Sequence, residues 1–209
     1  MWKLFKSGCF AKFLRKEDFF MSKAKKVSIT GILAALSAIL YVYPHFVVLP
    51  GFTMFKMDFA DIPALLAATV VSPLSGVLVV FIRDAVHLFM SDTLGIGELS
   101  NFIISASFVT VTGLVIKASK NEIASVKRTI TAMVLASVCT VAISVLSNYF
   151  LIIKLYEIFV NPEIMSFVGG VKNYIVAGVL PFNAIKAGIN SVIFVTIYKA
   201  LIPKIRYLL

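Results

Sequence analysis

The sequence predicts an all-α integral membrane protein, a six-transmembrane-helix bundle with its N- and C-termini cytoplasmic. Three observations predict it. Of the 209 residues 60% are hydrophobic and only 14% charged, an imbalance far outside the usual mixture for a soluble domain. The apolar residues fall in runs near the ~20 residues that cross a bilayer as helix. The 20 Lys and Arg, which give a formal net charge of +10, cluster between those runs, so they report membrane topology rather than nucleic-acid binding.

Residues 1–22 read as a basic cytoplasmic leader, and 23–209 as a single membrane domain. Lys3, Lys6, Lys12, Arg15, Lys16, Lys23, Lys25 and Lys26 precede the first apolar run. The charged stretch is too long for a signal peptide and no small-residue cleavage site ends the run, so the first helix is retained. Met21 is a second candidate start, because Ser22 to Lys26 already supplies a basic flank.

The first helix is predicted over 27–43, and an external loop over 44–58 follows it. The next apolar run, 60–72, is short for a span at about 12 residues. Ser72-Pro73 divides it from a third helix over 73–91, with proline in a first turn where no backbone N–H is needed. The fourth and fifth helices are predicted over 97–117 and 129–153. Pro181 opens a sixth, over 181–202, in the way Pro73 opens the third. Between the last two, Pro162 and Gly169-Gly170 mark 154–180 as a long external loop able to fold over a site.

With the N-terminus inside, the leader, the 117–128 loop (Lys117, Lys120, Lys127, Arg128) and the C-terminal end (Lys199, Lys204, Arg206) share one face. Lys56, Lys154 and Lys172 are left for the other. That asymmetry obeys the positive-inside rule. Cys9 and Cys139 have no ligand spacing and read as structural.

Polar residues inside apolar helices then fall at the outer side. Glu98 and Asn101 open the fourth helix at i, i+3, Asn148 lies near the outer end of the fifth, and Asn183 and Lys186 open the sixth, again at i, i+3. Such groups are costly in hydrocarbon and usually face a bundle interior or a wet cavity. Lys186 paired with Glu98, with asparagines tying helices together, is the structural alternative; their shared depth favours a site. Arg83-Asp84 reads as a structural pair and His87 as a hydrogen-bonded bundle residue, since His45 is the one other histidine. The loop Leu49–Asp58 mixes aromatics and methionines with Lys56, which suits either a flat organic ligand or an interfacial anchor. The chain has no phosphate loop of the G-x-x-x-x-G-K type, no H-E-x-x-H and no G-x-S-x-G turn, so no enzymatic activity is expected and ATP-driven work needs a partner.

Four segments, Phe55–Ala64, Ser72–Val80, Gly97–Ile103 and Pro181–Lys186, in this order and spacing, resemble the riboflavin-specific substrate-binding S components of energy-coupling factor (ECF) transporters. The resemblance covers roughly Lys23 to Pro203. It implies a six-helix subunit of a bacterial cytoplasmic membrane that captures riboflavin outside as transported ligand, without a cofactor. A membrane coupling (T) component and two cytoplasmic ATPase subunits, on other chains, would complete it. It also implies that Asn183, Lys186, Asn148, Glu98 and Asn101 bind the ligand, that Met54, Phe55 and Met57 line the site, and that Ala34 and Ala38 form an A-x-x-x-A docking face for the coupling component. Where the family commonly has a basic residue followed by an amide, this chain has Arg83-Asp84. An S component for a different vitamin is the first alternative, and a small intramembrane enzyme the second.

Overall fold

The structure, a computed structural model, describes residues 22–118 and 125–208. Residues 1–21 of the basic leader and 119–124, half of the 117–128 loop, lie outside the described residues.

Helix α1, Lys23–Val42, starts where Ser22 accepts from the Lys25 amide at 3.2 Å, a side-chain cap for an otherwise unpaired donor. A two-residue antiparallel ladder, β1 (Phe46–Val47) with β2 (Lys56–Met57), pairs Phe46 with Met57 and closes the first loop into a hairpin. Helix α2, Asp61–Val71, is apolar but short. Its last five residues, Ala67–Val71, widen into a π-helical turn. Ser72 then caps α3 through the Ser75 amide at 3.0 Å with Pro73 in the first turn, as the sequence predicts. α3 runs over Pro73–Met90 and α4 over Ile96–Lys117.

α5 is longer than expected, Val126–Phe159, and continues through a π-helical stretch at Asn148–Ile152. The expected long external loop over 154–180 is largely helix. α5 extends to Phe159, a one-turn helix α6 forms at Ile164–Phe167, and α7 begins at Gly170. α7 covers Gly170–Leu201 as a candidate span, with a second π-helical stretch at Tyr174–Val179, and its final turns reach Leu208. Pro181 therefore sits inside α7 rather than at its start. The preceding π-helical stretch accommodates it, since a wider turn relieves the clash of the ring with the carbonyl a turn earlier.

Among the described residues five helices, α1, α3, α4, α5 and α7, are long and apolar enough to cross a membrane, and this is a multi-pass membrane protein. α2 falls short of a span by length and is packed inside the bundle: Ile62, Ala64, Leu65, Ala67 and Ala68 are buried. Close approach makes that possible. A Cβ on Gly76 would stand 2.6 Å from Ala68 Cβ and 2.9 Å from the Ala64 carbonyl, so α3 meets α2 backbone to backbone, the contact that small residues permit in membranes. The inner core gathers Ala34, Leu65, Val79, Phe108, Met133 and Phe194. A second, outer cluster joins Phe52, Ile153, Met165, Tyr174 and Val179. Ring faces and long side chains such as Phe81, Val138 and Val192 point outward, as a lipid-facing surface requires. At the basic end, Lys117 donates to the Val71 carbonyl and Arg128 to that of Val115, satisfying groups that helix ends leave open.

Candidate functional site

A cavity of about 520 Å³ opens at the end of the bundle that carries the β hairpin. That volume lies in the range of small-molecule sites. α1 supplies Tyr41, the hairpin Thr53, Met54, Phe55 and Lys56, α4 Glu98, Asn101 and Ser105, α5 Asn148, Ile152 and Tyr156, and α7 Tyr174, Phe182, Asn183 and Lys186. The two π-helical stretches carry Asn148, Ile152 and Tyr174 to this wall, in keeping with the frequent occurrence of such widened turns at functional sites.

One side is aromatic. The Phe55 ring stacks on Phe182 with centroids 5.0 Å apart and lies 5.7 Å from Tyr174 and 5.9 Å from Phe52. Gly178 makes room for this set, because a Cβ there would stand 2.8 Å from Phe55 and 2.9 Å from Phe52.

The other side is polar and internally bonded. Asn148 donates to the Ser144 carbonyl at 2.9 Å, and its Oδ1 accepts from the Tyr174 hydroxyl at 3.2 Å. Asn183 donates to the Val179 carbonyl at 2.8 Å, which leaves its Oδ1 free to accept from a ligand. Lys186 Nζ donates to Asp58 Oδ2 at 2.8 Å and to Asn101 Oδ1 at 3.3 Å. Asn101 in turn donates to Asp84 at 2.9 Å. Behind the wall Arg83, fully buried, pairs with Asp61 at 2.9 Å and with Asp84 at 3.0 Å, and its guanidinium lies 5.0 Å from the Tyr41 ring centroid. Each charge in this array has an opposite neighbour, the condition for keeping it inside a membrane protein.

Glu98 holds the rim. Its Oε1 lies 2.8 Å from His87 Nδ1, and its Oε2 accepts from Ser91 at 2.7 Å and Thr93 at 3.2 Å. The α3–α4 connection is thereby tied to the first turn of α4. The expected alternative pairing of Lys186 with Glu98 is not formed, since Asp58 and Asn101 occupy the lysine.

The profile of the ECF transporter substrate-specific component matches residues 25–198. The chain belongs to this family of S components. Among its relatives, the riboflavin transporter RibU of Staphylococcus aureus is 29% identical over 182 residues, 87% of this chain and 92% of that protein. The riboflavin transporter FmnP of Bacillus subtilis is 29% identical over 186 residues, 87% and 94% of the two chains. The RibU of Streptococcus thermophilus is 32% identical over 188 residues, 88% and 86%. A solved structure described as the S component of a bacterial ECF transporter superposes with a TM-score of 0.71 at 26% identity, covering 88% of this chain and 99% of that one.

In this S component the cavity brings together Asn183, Lys186, Asn148, Glu98, Asn101, Met54 and Phe55. Met57 is corrected: it is fully buried and is not among the lining residues, because strand alternation turns it away from the face that carries Lys56. The docking face is corrected too. Ala34, 2% exposed, packs in the inner core and Ala38 is half-buried. Gly31 and Ala35 are small residues that α1 does present outward at that spacing, as are Ala24 and Ser28 nearer its start, and Gly31 has nothing within 4 Å of its Cβ position. Sequence reasoning missed Tyr41, Asp58, Asp61, Tyr156 and Tyr174. Asp58 and Asp61 were detectable as carboxylates bordering an apolar run, whereas Tyr156 and Tyr174 lay in a segment read as loop.

Proposed function

We propose that this S component captures riboflavin from the external side of a bacterial cytoplasmic membrane. It then passes the vitamin inward with a membrane coupling (T) component and two ATPase subunits on other chains. The observation that carries the reading is the juxtaposition, in one cavity, of the Phe55–Phe182–Tyr174 ring set with Asn148, Asn183, Asn101 and Lys186. A flavin presents a flat tricycle to stack, a pyrimidine edge that both donates and accepts, and a chain of hydroxyls. Relatives described as riboflavin transporters support the same ligand. In this arrangement both termini are cytoplasmic, α2 counts as the sixth, short membrane helix, and 23–209 forms one domain behind the basic leader. Exposed Gly31 and Ala35 on α1 take over the docking role first expected of Ala34 and Ala38.

The test is fluorescence titration of the purified full chain in detergent, with neither ATP nor partner. Quenching of flavin emission at micromolar or lower riboflavin is the expected result. Unchanged emission from a folded preparation rejects the ligand, and a panel of other vitamins then decides among alternatives.

A further inference from the structure

Charge in this protein is sorted by end. At the end away from the hairpin, α1 opens with Lys23, Lys25 and Lys26, α4 closes on Lys117, and α5 opens with Lys127 and Arg128. α7 adds Lys199 at an exposed position near its own end. Among the described residues no carboxylate stands there. Asp58, Asp61, Asp84, Asp92 and Glu98 lie in or beside the cavity. Glu157 follows the cavity residue Tyr156 at the same end, and Glu163 lies beyond it. The positive-inside rule explains why lysines and arginines gather on one side, but acids weigh little in it, so it does not account for their absence.

Packing brings these cations together without neutralising them. Gly113 lets α4 press on the α2–α3 turn, where a Cβ would stand 3.1 Å from the Ala68 carbonyl oxygen and from Pro73 Cγ. Lys117, one turn further on, thereby reaches the Val71 carbonyl. Ile116 and Ala132 pack α4 on α5, so Arg128, one turn before Ala132, reaches the Val115 carbonyl at 2.8 Å. Both acceptors are uncharged. Lys26 of α1 lies within electrostatic reach of Lys117, like charge against like. Helix polarity adds to the excess. A helix start is the positive end of its dipole, where acidic side chains are favourable and basic ones are not. Neither α1 nor α5 has an acid in its first turn, and both have cations there. The negative end of α4 offsets only about half a charge.

We propose that this end is a binding surface for anionic phospholipid headgroups, with Lys117, Lys127 and Arg128 at its centre and Lys23 and Lys25 on its flank. The cations stand at the ends of membrane spans, the level at which a bilayer presents its phosphates, and an anionic leaflet attracts basic residues placed there. They also surround the bundle, on α1, α4, α5 and α7. A shell of lipid meets such a ring on every side, whereas a protein docked on one face meets only part of it. The surface is independent of what the cavity binds.

The experiment reconstitutes the purified full chain in phosphatidylcholine bilayers and measures, with spin-labelled lipids, the association of phosphatidylglycerol relative to phosphatidylcholine. Phosphatidylglycerol is expected to be favoured by at least about 3-fold, and the preference should fall toward unity as salt screens the charges. Lys117→Gln, Lys127→Gln and Arg128→Gln together should remove most of it, since glutamine keeps a hydrogen-bond donor and loses the charge. Lys23→Gln with Lys25→Gln, both at exposed positions, should lower the preference by a smaller amount and gives a second reading if the triple variant does not fold. Glycerol phosphate, the soluble anion of the same headgroup, should not compete at millimolar concentration. Three results overturn the proposal: equal association of the two lipids with the unaltered chain, a preference unmoved by salt and by Lys23→Gln with Lys25→Gln, or displacement by glycerol phosphate, which makes the surface one for free phosphate. Equal association together with loss of copurifying partner subunits from cells that express the variants assigns the surface to an acidic protein instead.

Discussion

Lys186 on α7 donates to Asp58 at the exit of the β hairpin across 2.8 Å and 128 residues of sequence. Asp58 also accepts from the Ala60 amide at 3.0 Å, and the Ala60 carbonyl accepts from Ser37 of α1 at 2.7 Å. One carboxylate therefore fixes a cavity lysine, the base of the hairpin and, through Ala60, the first helix.

Removing one member of this pair leaves the other charged and buried, a change that typically costs ~3–5 kcal/mol. Lys186→Met should lower the thermal midpoint in detergent markedly and weaken riboflavin binding. Asp58→Asn combined with Lys186→Met should recover most of the stability and little of the binding. Thermal unfolding of the two single variants and the double variant reads the coupling; additive losses would show that the pair contributes nothing jointly.

Asn183→Ala and Asn148→Ala each remove an amide from a largely desolvated wall. Riboflavin affinity should fall by about 1–3 kcal/mol, or about 5- to 150-fold, in each. Fluorescence titration measures it. Asn148→Ala also strips Tyr174 of its hydroxyl partner, so its effect should be the larger; affinity unchanged in both would move the ligand elsewhere in the cavity.

Topology is open to chemical labelling. A single cysteine at Ser166, an exposed position of α6, should react with an impermeant maleimide added to intact cells, and one at Ser119 should react after lysis alone. The reverse pattern would turn the molecule over and bring the cavity to the cytoplasm.

Capture and delivery should separate by mutation along α1. Gly31→Leu with Ala35→Leu puts bulk on an exposed face, so the isolated protein should keep its flavin affinity while uptake in cells that contain the partner subunits is lost. Ala34→Leu overfills the inner core and should lower stability by about 1–3 kcal/mol. Normal uptake with leucine at both 31 and 35 would exclude that face from docking.

Much of this architecture was legible because lipid imposes simple rules. The runs, the Ser72-Pro73 break and the depth of Glu98, Asn101, Asn148, Asn183 and Lys186 all follow from the cost of leaving polar groups in hydrocarbon. The partners within the site were not legible. Nothing local to Lys186 distinguishes Asp58 from Glu98 as its counter-ion, since that choice is made by α2 folding into the bundle. The helical character of 154–180 was hidden by Gly169-Gly170 and Pro162, which read as loop punctuation although they interrupt the helix only around α6. Ala34 misled because small residues face inward and outward on α1 alike, and spacing alone does not say which pair is covered.

The π-helical stretches of α5 and α7 hold one more consequence. Along α5 one buried row runs through Ala132, Ala136, Thr140, Ser144, Asn148 and Ile152 at a step of four, and along α7 another runs through Tyr174, Gly178, Phe182, Lys186, Asn190, Phe194 and Tyr198, with further buried residues such as Met133 and Ile175 beside them. An α-helix completes a turn in 3.6 residues, so such a row drifts about 40° per step around the axis. A widened turn absorbs part of that drift. Each of these two helices thus carries a surplus residue in its widened turn, and deleting one residue from 148–152 or 174–179 would close that turn to ordinary α-helix and take Asn148, Ile152 or Tyr174 out of the setting that puts them on the cavity wall. Insertions and deletions of a single residue should therefore be excluded from these two short windows over evolutionary time, even where the side chains themselves are free to change.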